Sequence, residues 1–401
     1  MLQTEAVLPN PPVPGLGGSA SVREILARTV GGERLPPEDA LTLLREATLL
    51  ELGSAANTVR QRHNDPAVAT YQVDRNINYT NVCVYRCTFC AFYRPAGHEE
   101  GYVLPLAEIG RKVEETLALG GTGVLLQGGV HAELPFAFYQ ELLGFLRDRY
   151  PRVHRHALSA PEIYFLSKKE RWSIRETLSR LKDAGLMSVP GGGAEILDDD
   201  VRKRIWALTK APVSKWSEVH REAHRLGMAT TATMMFGVGE TLEQRLHHLD
   251  VVRALQDEAL AEGAESFTAF IPWTFQEENT ALDGKVETAG GPDYLRMLAF
   301  ARLYLDNLPH VQGSWLTQGK KIGQVSLFFG ADDLGSIMIE ENVVAAAGAH
   351  NRTTRQEMID LIEDAGFTAR QRGSVYERCD QLCCEGTRQA SGSPAPPPQP
   401  R

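Results

Sequence analysis

From about residue 65 to about residue 370, short strand-like runs alternate with amphipathic helical stretches, and this alternation constrains the fold more than any other feature. The strand-like runs fall at 75–80, 123–127, 153–159, 186–189, 229–236, 266–272, 311–316 and 335–339. Repeated strand-then-helix units make the strands parallel and the crossovers right-handed. The expectation is an α/β chain forming a (β/α)8 TIM-type barrel from about eight units. The last two are less regular, which keeps an open six-unit partial barrel as the alternative.

The helical stretches carry their own start and stop signals. Pro36-Pro37-Glu38-Asp39 reads as a helix start, with Leu41, Leu44, Ala47 and Leu50 spaced as one apolar stripe. Leu106, Ile109, Val113 and Leu117 share a face that ends at Gly120, and Tyr139, Leu143, Leu146 and Tyr150 share another. A capping box, Thr354 with Glu357, opens a last helix that turns Met358, Leu361, Ile362 and Ala365 inward and stops at Gly366. Three regions result: a loose N-terminus and helical extension over 1–64, the barrel over 65–372, and a tail over 373–401. The tail is expected to be disordered, because Ser393-Pro394-Ala395-Pro396-Pro397-Pro398 cannot bury enough surface to order itself.

Composition narrows the partners. A net charge of −9 without a run of Lys and Arg argues against nucleic acid. No secretory signal and no stretch of roughly 18 apolar residues is present, so no membrane partner and a cytoplasmic location are expected. Three of the six cysteines lie between positions 83 and 90, a clustering that fits metal binding better than a disulfide framework.

Those three, Cys83, Cys87 and Cys90, sit in a loop after the first strand and before the first barrel helix. Barrel enzymes place their chemistry at that end of the strands. Cys-x3-Cys-x2-Cys supplies three thiolates for a [4Fe-4S] cluster, where four are usual, and so leaves one iron open to a small molecule. A zinc site completed by His98, or three buried thiols, is the plainer reading. Cys379, Cys383 and Cys384 form a second group near the tail and read as tail thiols. A non-catalytic metal-binding scaffold would need the cysteine trio without glycine-rich strand ends. The strand ends here are rich in glycine: Gln127-Gly128-Gly129-Val130, Pro190-Gly191-Gly192-Gly193-Ala194-Glu195-Ile196, and Phe236-Gly237-Val238-Gly239. Glu195 can accept hydrogen bonds from a ligand's hydroxyls or ammonium, and Arg202 can pair with a carboxylate. Phe270-Ile271-Pro272-Trp273 suits the packing of a flat ring, although Trp273 and Trp315 equally suit the core.

The cysteine spacing resembles the radical S-adenosylmethionine (SAM) signature. Asn76-Ile77-Asn78-Tyr79-Thr80-Asn81, Cys90-Ala91-Phe92-Tyr93-Arg94, Gly120-Gly121-Thr122-Gly123 and the segments at 190–196, 231–237 and 268–273 together resemble the cyclic dehypoxanthinyl futalosine synthase family over roughly residues 35–372. The resemblance implies a [4Fe-4S] cluster and SAM as cofactors, with SAM on the open iron and against Phe89, Gln127, Gly128, Gly129, Glu195, Arg202, Ile271 and Pro272. Val130 stands where the superfamily commonly has Glu for the SAM amine, so Gln127 and the backbone at Gly128 are the substitutes. It implies further that a 5′-deoxyadenosyl radical takes hydrogen from C4′ of dehypoxanthinyl futalosine, whose carbon radical closes onto the benzoate ring on the route to menaquinone. A base must take the final proton, and His131, His156 and Tyr79 are the candidates near strand ends. A low-potential donor, flavodoxin or ferredoxin, would supply the electron. Aminofutalosine synthase and the deazaflavin-forming synthase would share the barrel and the cysteine loop.

Overall fold

The computed structural model describes residues 20–377; the second cysteine group and the proline-rich segment lie outside the described residues. Three helices come first: α1 (Ala20–Gly31), α2 (Pro37–Glu46) and α3 (Leu49–His63). The stripe read as one helix is divided between two, because Ala47 is extended and Thr48 forms a capping box with Glu51 that starts α3. Leu50 is consequently 70% exposed, while Leu44 and Ala47 are buried. Buried Arg60 of α3 donates to the carbonyls of Val68 and Ala331, at 2.6 and 2.9 Å, and so ties these helices to the start of the sheets.

Among the described residues nine strands follow: β1 (Val68–Gln72), β2 (Asp74–Ile77), β3 (Gly123–Leu126), β4 (His154–Ala157), β5 (Thr230–Phe236), β6 (Phe267–Thr274), β7 (His310–Val311), β8 (Asp333–Ser336) and β9 (Thr368–Gln371). Every strand pair is parallel, in three sheets ordered β8-β1-β9, β2-β3-β4 and β5-β6-β7. Single parallel bridges join His156 to Ser188, Val189 to Thr230 and Gln312 to Asp333. The chain is an α/β structure of strand–helix units.

Several elements differ from the sequence reading. The run expected at 75–80 is β2 at 74–77, its last residues turn into the cysteine loop, and β1, separated from β2 only by Val73, is an additional strand. Residues 186–189 contribute isolated bridges in place of a ladder. The run at 311–316 is a two-residue strand followed by a helix from Trp315, and the run at 335–339 moves back to 333–336, where Gly335 has φ +69°. β9 was not foreseen, because Thr368-Ala369-Arg370-Gln371 lies at a sheet edge and has no apolar run. The helix Leu106–Ala118 buries Ile109 and Val113 but leaves Leu117 on its last turn 42% exposed. The helix Arg355–Asp364 has the expected capping box and buries Met358 and Ile362.

What positions the site is the inner face of the strands. Parallel strands covered on both faces normally read as continuous apolar runs. Here alternate residues are polar, and Asp74, Asn76, His156, Thr231 and Thr233 line a cavity of about 270 Å³. Their neighbours Ile77, Val124, Leu126, Ala157, Ala232 and Met234 are buried in the hydrophobic core instead. The period-2 alternation of a strand thus turns these polar side chains to the cavity, where they stand beside Leu125, Ala269, Ile271 and Trp273.

Candidate active site

The loop carrying the three cysteines is held by its own asparagines and threonine. Asn81 accepts from the Tyr102 amide at 2.9 Å and donates to the Glu100 carbonyl at 2.9 Å, while Thr80 donates to the Tyr102 carbonyl at 2.6 Å. The amides of Cys83 and Arg94 bond to the carbonyls of Arg94 and Asn81, which pins both ends of the loop. Arg94 then donates to the carbonyls of Ala91 and Tyr93 inside it, at 3.0 and 2.9 Å. Cys87 is buried, and Cys83 and Cys90 are partly exposed. Burial pushes the Cys87 thiol up to about 12 and raises that of Cys83, against the opposing charge of Lys210. A bound metal removes such thiol protons outright. Three thiols in one loop are the donor set of a cubane that keeps one iron open to a small molecule.

The paired glycines have a packing reason. A Cβ on Gly129 would lie 2.3 Å from the Val82 carbonyl oxygen, and one on Gly128 would lie 2.8 Å from the Tyr79 ring. With both absent, the Val84 amide reaches the Val130 carbonyl at 2.9 Å and the cysteine loop docks on the end of β3. Tyr79 is fully buried and its hydroxyl donates to Glu162, which also accepts from the Gly128 amide at 3.3 Å and from Ser159. Burial raises the Tyr79 hydroxyl well above its ordinary value.

The second glycine loop brings Glu195 to the cavity wall at a left-handed φ of +43°. Its carboxylate is held by Lys210 at 2.8 Å and Arg202 at 3.3 Å. Arg202 is fully buried and donates to the carbonyls of Ala194, Ala211 and Gly193, at 2.6, 2.8 and 3.1 Å, so its guanidinium anchors the loop. Lys210 had no sequence signal. Burial works against its ammonium, yet Glu195 and the Cys87 thiol hold its pKa above the ordinary value. The same ammonium stands 5.2 Å from the Phe89 ring centroid, linking the cysteine loop to Glu195.

Of the other residues read from the sequence, Gln127, Ile271 and His156 line the cavity, as do Trp273 and Trp315. Pro272 alternates outward and pairs in register with Met234 of β5. His131 lies near the end of β3 outside the cavity lining, where its Nδ1 accepts from the Glu133 amide at 3.2 Å. Burial pushes His156 down to about 3, with His154 and Arg372 adding to the shift. Asp74 also lines the cavity, and burial pushes its carboxyl up to about 6 against a hydrogen bond from Ser336. Neither Asp74 nor Arg372, which closes the wall from beyond β9, was singled out in the sequence.

Comparison with known proteins decides the family. Residues 77–252 match the radical SAM superfamily and residues 264–383 the CofH/MqnC C-terminal region. Cyclic dehypoxanthine futalosine synthase from Streptomyces coelicolor is 45% identical over 361 residues, 89% of each chain. The chain belongs to the radical SAM superfamily. Aminodeoxyfutalosine synthase from Thermus thermophilus is 40% identical, over 88% of this chain and 94% of its own. The crystal structure of methylornithine synthase superposes with a TM-score of 0.66 at 18% identity, covering 86% of this chain and 97% of its own, and shows the shared fold. Radical SAM enzymes use a [4Fe-4S] cluster and SAM, and the cysteine loop and the polar side chains of the cavity wall supply donors suited to both. No helix among the described residues is long and apolar enough to cross a membrane.

Proposed function

We propose that this radical SAM enzyme is a cyclic dehypoxanthine futalosine synthase, closing dehypoxanthinyl futalosine between C4′ and the benzoate ring on the route to menaquinone. The reading is carried by 45% identity to such a synthase along 89% of both chains. The mixed polar and apolar cavity supports it, since a sugar needs hydrogen-bond partners and the aromatic ring needs the flat walls of Trp273 and Trp315. The bound cluster and SAM supply a 5′-deoxyadenosyl radical. Cys83, Cys87 and Cys90 hold the cluster, and the opened backbone at Gly128 and Gly129 lets their loop sit against β3. Gln127, Glu195, Phe89 and Ile271 face SAM, while Arg202 fixes the loop that carries Glu195 and Pro272 the strand that carries Ile271. Of the three bases considered, His156 is the acceptor: it lines the cavity, the Tyr79 hydroxyl is engaged by Glu162, and His131 lies outside the lining. Excluding water and holding the ring against C4′ are the main tasks of the wall.

In the same reading, the sheets and the bridges between them make one closed (β/α)8 wall, with β1 running into β2, helices α1–α3 as its extension and limits near residues 64 and 372. The electron comes from a low-potential flavodoxin or ferredoxin in the cytoplasm.

Two outcomes separate this activity from aminodeoxyfutalosine synthase. With substrate deuterated at C4′, mass spectrometry should find one deuterium in 5′-deoxyadenosine and a cyclised product. An adenosyl group retained covalently in a product from a vinyl ether substrate would assign the chain to the other activity. The role of Glu195 has its own test. Glu195→Gln keeps the shape but removes a charge-assisted contact, so the KM for SAM should rise roughly tenfold with iron content unchanged. An unaltered KM would remove Glu195 from the SAM site.

A further inference from the structure

His154, Arg155 and His156 are consecutive on β4, so the alternation of a strand turns both imidazoles to the same face. Ser188 pairs with His156 through a parallel bridge. Its fully buried hydroxyl oxygen lies 2.6 Å from Nδ1 of His156 and 2.7 Å from Nε2 of His154. A hydroxyl has one hydrogen, so it donates to one ring and accepts from the other, and the chain of three groups has a direction. His156 lines the cavity; His154 does not, and is partly exposed.

We propose that His156, Ser188 and His154 form a proton relay that carries the proton released on ring closure out of the cavity. This rests on the cyclase reading, because only attack on an aromatic ring leaves a C–H that must ionise. The C4′ radical bonds to a ring carbon, and the resulting radical gives one electron to a one-electron acceptor of the iron–sulfur class. The ring C–H then yields its proton to Nε2 of His156, and the C–H electron pair restores aromaticity. As that bond forms, Nδ1–H of His156 passes to the Ser188 oxygen and the Ser188 hydrogen passes to Nε2 of His154, whose Nδ1 proton leaves to solvent.

The relay answers an electrostatic difficulty. Burial, together with His154 and Arg372, strongly disfavours an imidazolium at His156. A coupled transfer keeps the charge out of the cavity and leaves it on His154. Burial and Arg155 also oppose a charge there, but the Glu377 carboxylate favours it. His156 is the catalytic group, and Ser188 and His154 are positioning residues that act through it.

The test is Ser188→Ala in the reconstituted full-length holoenzyme, with Ser188→Thr as the conservative control. Deuterium transfer from C4′ and both KM values should stay within about twofold of wild type. Cyclised product per 5′-deoxyadenosine should fall about a hundredfold, within the usual range for losing acid–base assistance, and Ser188→Thr should recover most of it. Nitrogen-15 NMR of the histidine-labelled protein gives a readout without turnover. Both rings should be neutral with hydrogen on Nδ1, and Ser188→Ala should change the His154 signal. An unchanged product ratio in Ser188→Ala would overturn the relay and transfer the acceptor role to another wall group, Asp74 first. Rings whose tautomers ignore the substitution would overturn it too. If the wild type itself forms no cyclised product, the cyclase reading fails, an outcome distinct from a wild type and a Ser188→Ala variant that cyclise equally.

Discussion

Cys87→Ala is expected to leave the anaerobically reconstituted protein without its iron–sulfur chromophore and without SAM cleavage. Cys87 is the most deeply placed of the three thiols, and its carbonyl accepts from the Cys90 amide at 3.2 Å, so it sets the turn between the last two ligands. The neighbouring Thr88 amide bonds to the Ile205 carbonyl and the Thr88 carbonyl accepts from the Ala281 amide, which fixes that turn to two other parts of the chain. The thiolate position is therefore preset, and no other described Cys is available to replace it. Three thiolates already leave one iron open, and removing another leaves too few protein ligands to retain the cubane. Iron content, visible absorbance and 5′-deoxyadenosine formation should fall together, with circular dichroism unchanged. Full iron content with turnover intact would overturn the ligand assignment.

Asp333→Ala should destabilise the fold by about 3–5 kcal/mol, the usual cost of removing one partner from a buried ion pair. Asp333 is fully buried, and its carboxylate takes both arms of Arg372, Nε at 2.6 Å and Nη2 at 2.8 Å. It also accepts from the Thr70 hydroxyl at 2.6 Å and the Gly335 amide at 2.7 Å. The pair joins β8 to the residue after β9, and Arg372 forms part of the cavity wall. Without Asp333 the guanidinium stays buried with neutral oxygens of Gln72 and Gly373 as acceptors and without its paired carboxylate. A loss of that size is a large fraction of the roughly 5–15 kcal/mol typical of a folded protein. Adding Arg372→Met should recover part of the loss, because an apolar side chain leaves no buried charge. Urea unfolding measures both. A shift under about 1 kcal/mol for Asp333→Ala would mean that the pair is not coupled to folding.

The residues that announced the site are those whose constraint is local. Cys83, Cys87 and Cys90 lie within one loop and their spacing alone proposes the cluster ligands, while Gly128, Gly129 and Gly191–Gly193 mark where backbone must pass close to other groups. The capping boxes at Thr354 and the inward stripe at Tyr139, Leu143 and Leu146 were legible for the same reason. Alternating polar residues in Thr231-Ala232-Thr233 carry a further signal, that of polar side chains turned to the cavity. That signal is readable from strand period alone.

What the sequence by itself determined was the strand–helix alternation, the cysteine loop at a strand end and the family to which the residues point. Only the tertiary structure decided which polar groups meet. Lys210 reaches Glu195 and Phe89 from a segment with no motif, Glu162 joins the ends of two strands through Tyr79 and Gly128, and Ser336 meets Asp74 across 262 residues of chain. The same is true of Arg202, turned onto backbone carbonyls, and of Ser188 between two imidazoles. Caps, turns and metal-ligand spacings are fixed by bonds between residues a few positions apart, so they are written in order along the chain. Partners inside the cavity are fixed by strand register and by the cost of leaving buried polar groups unpaired, and both exist only once distant segments have packed together.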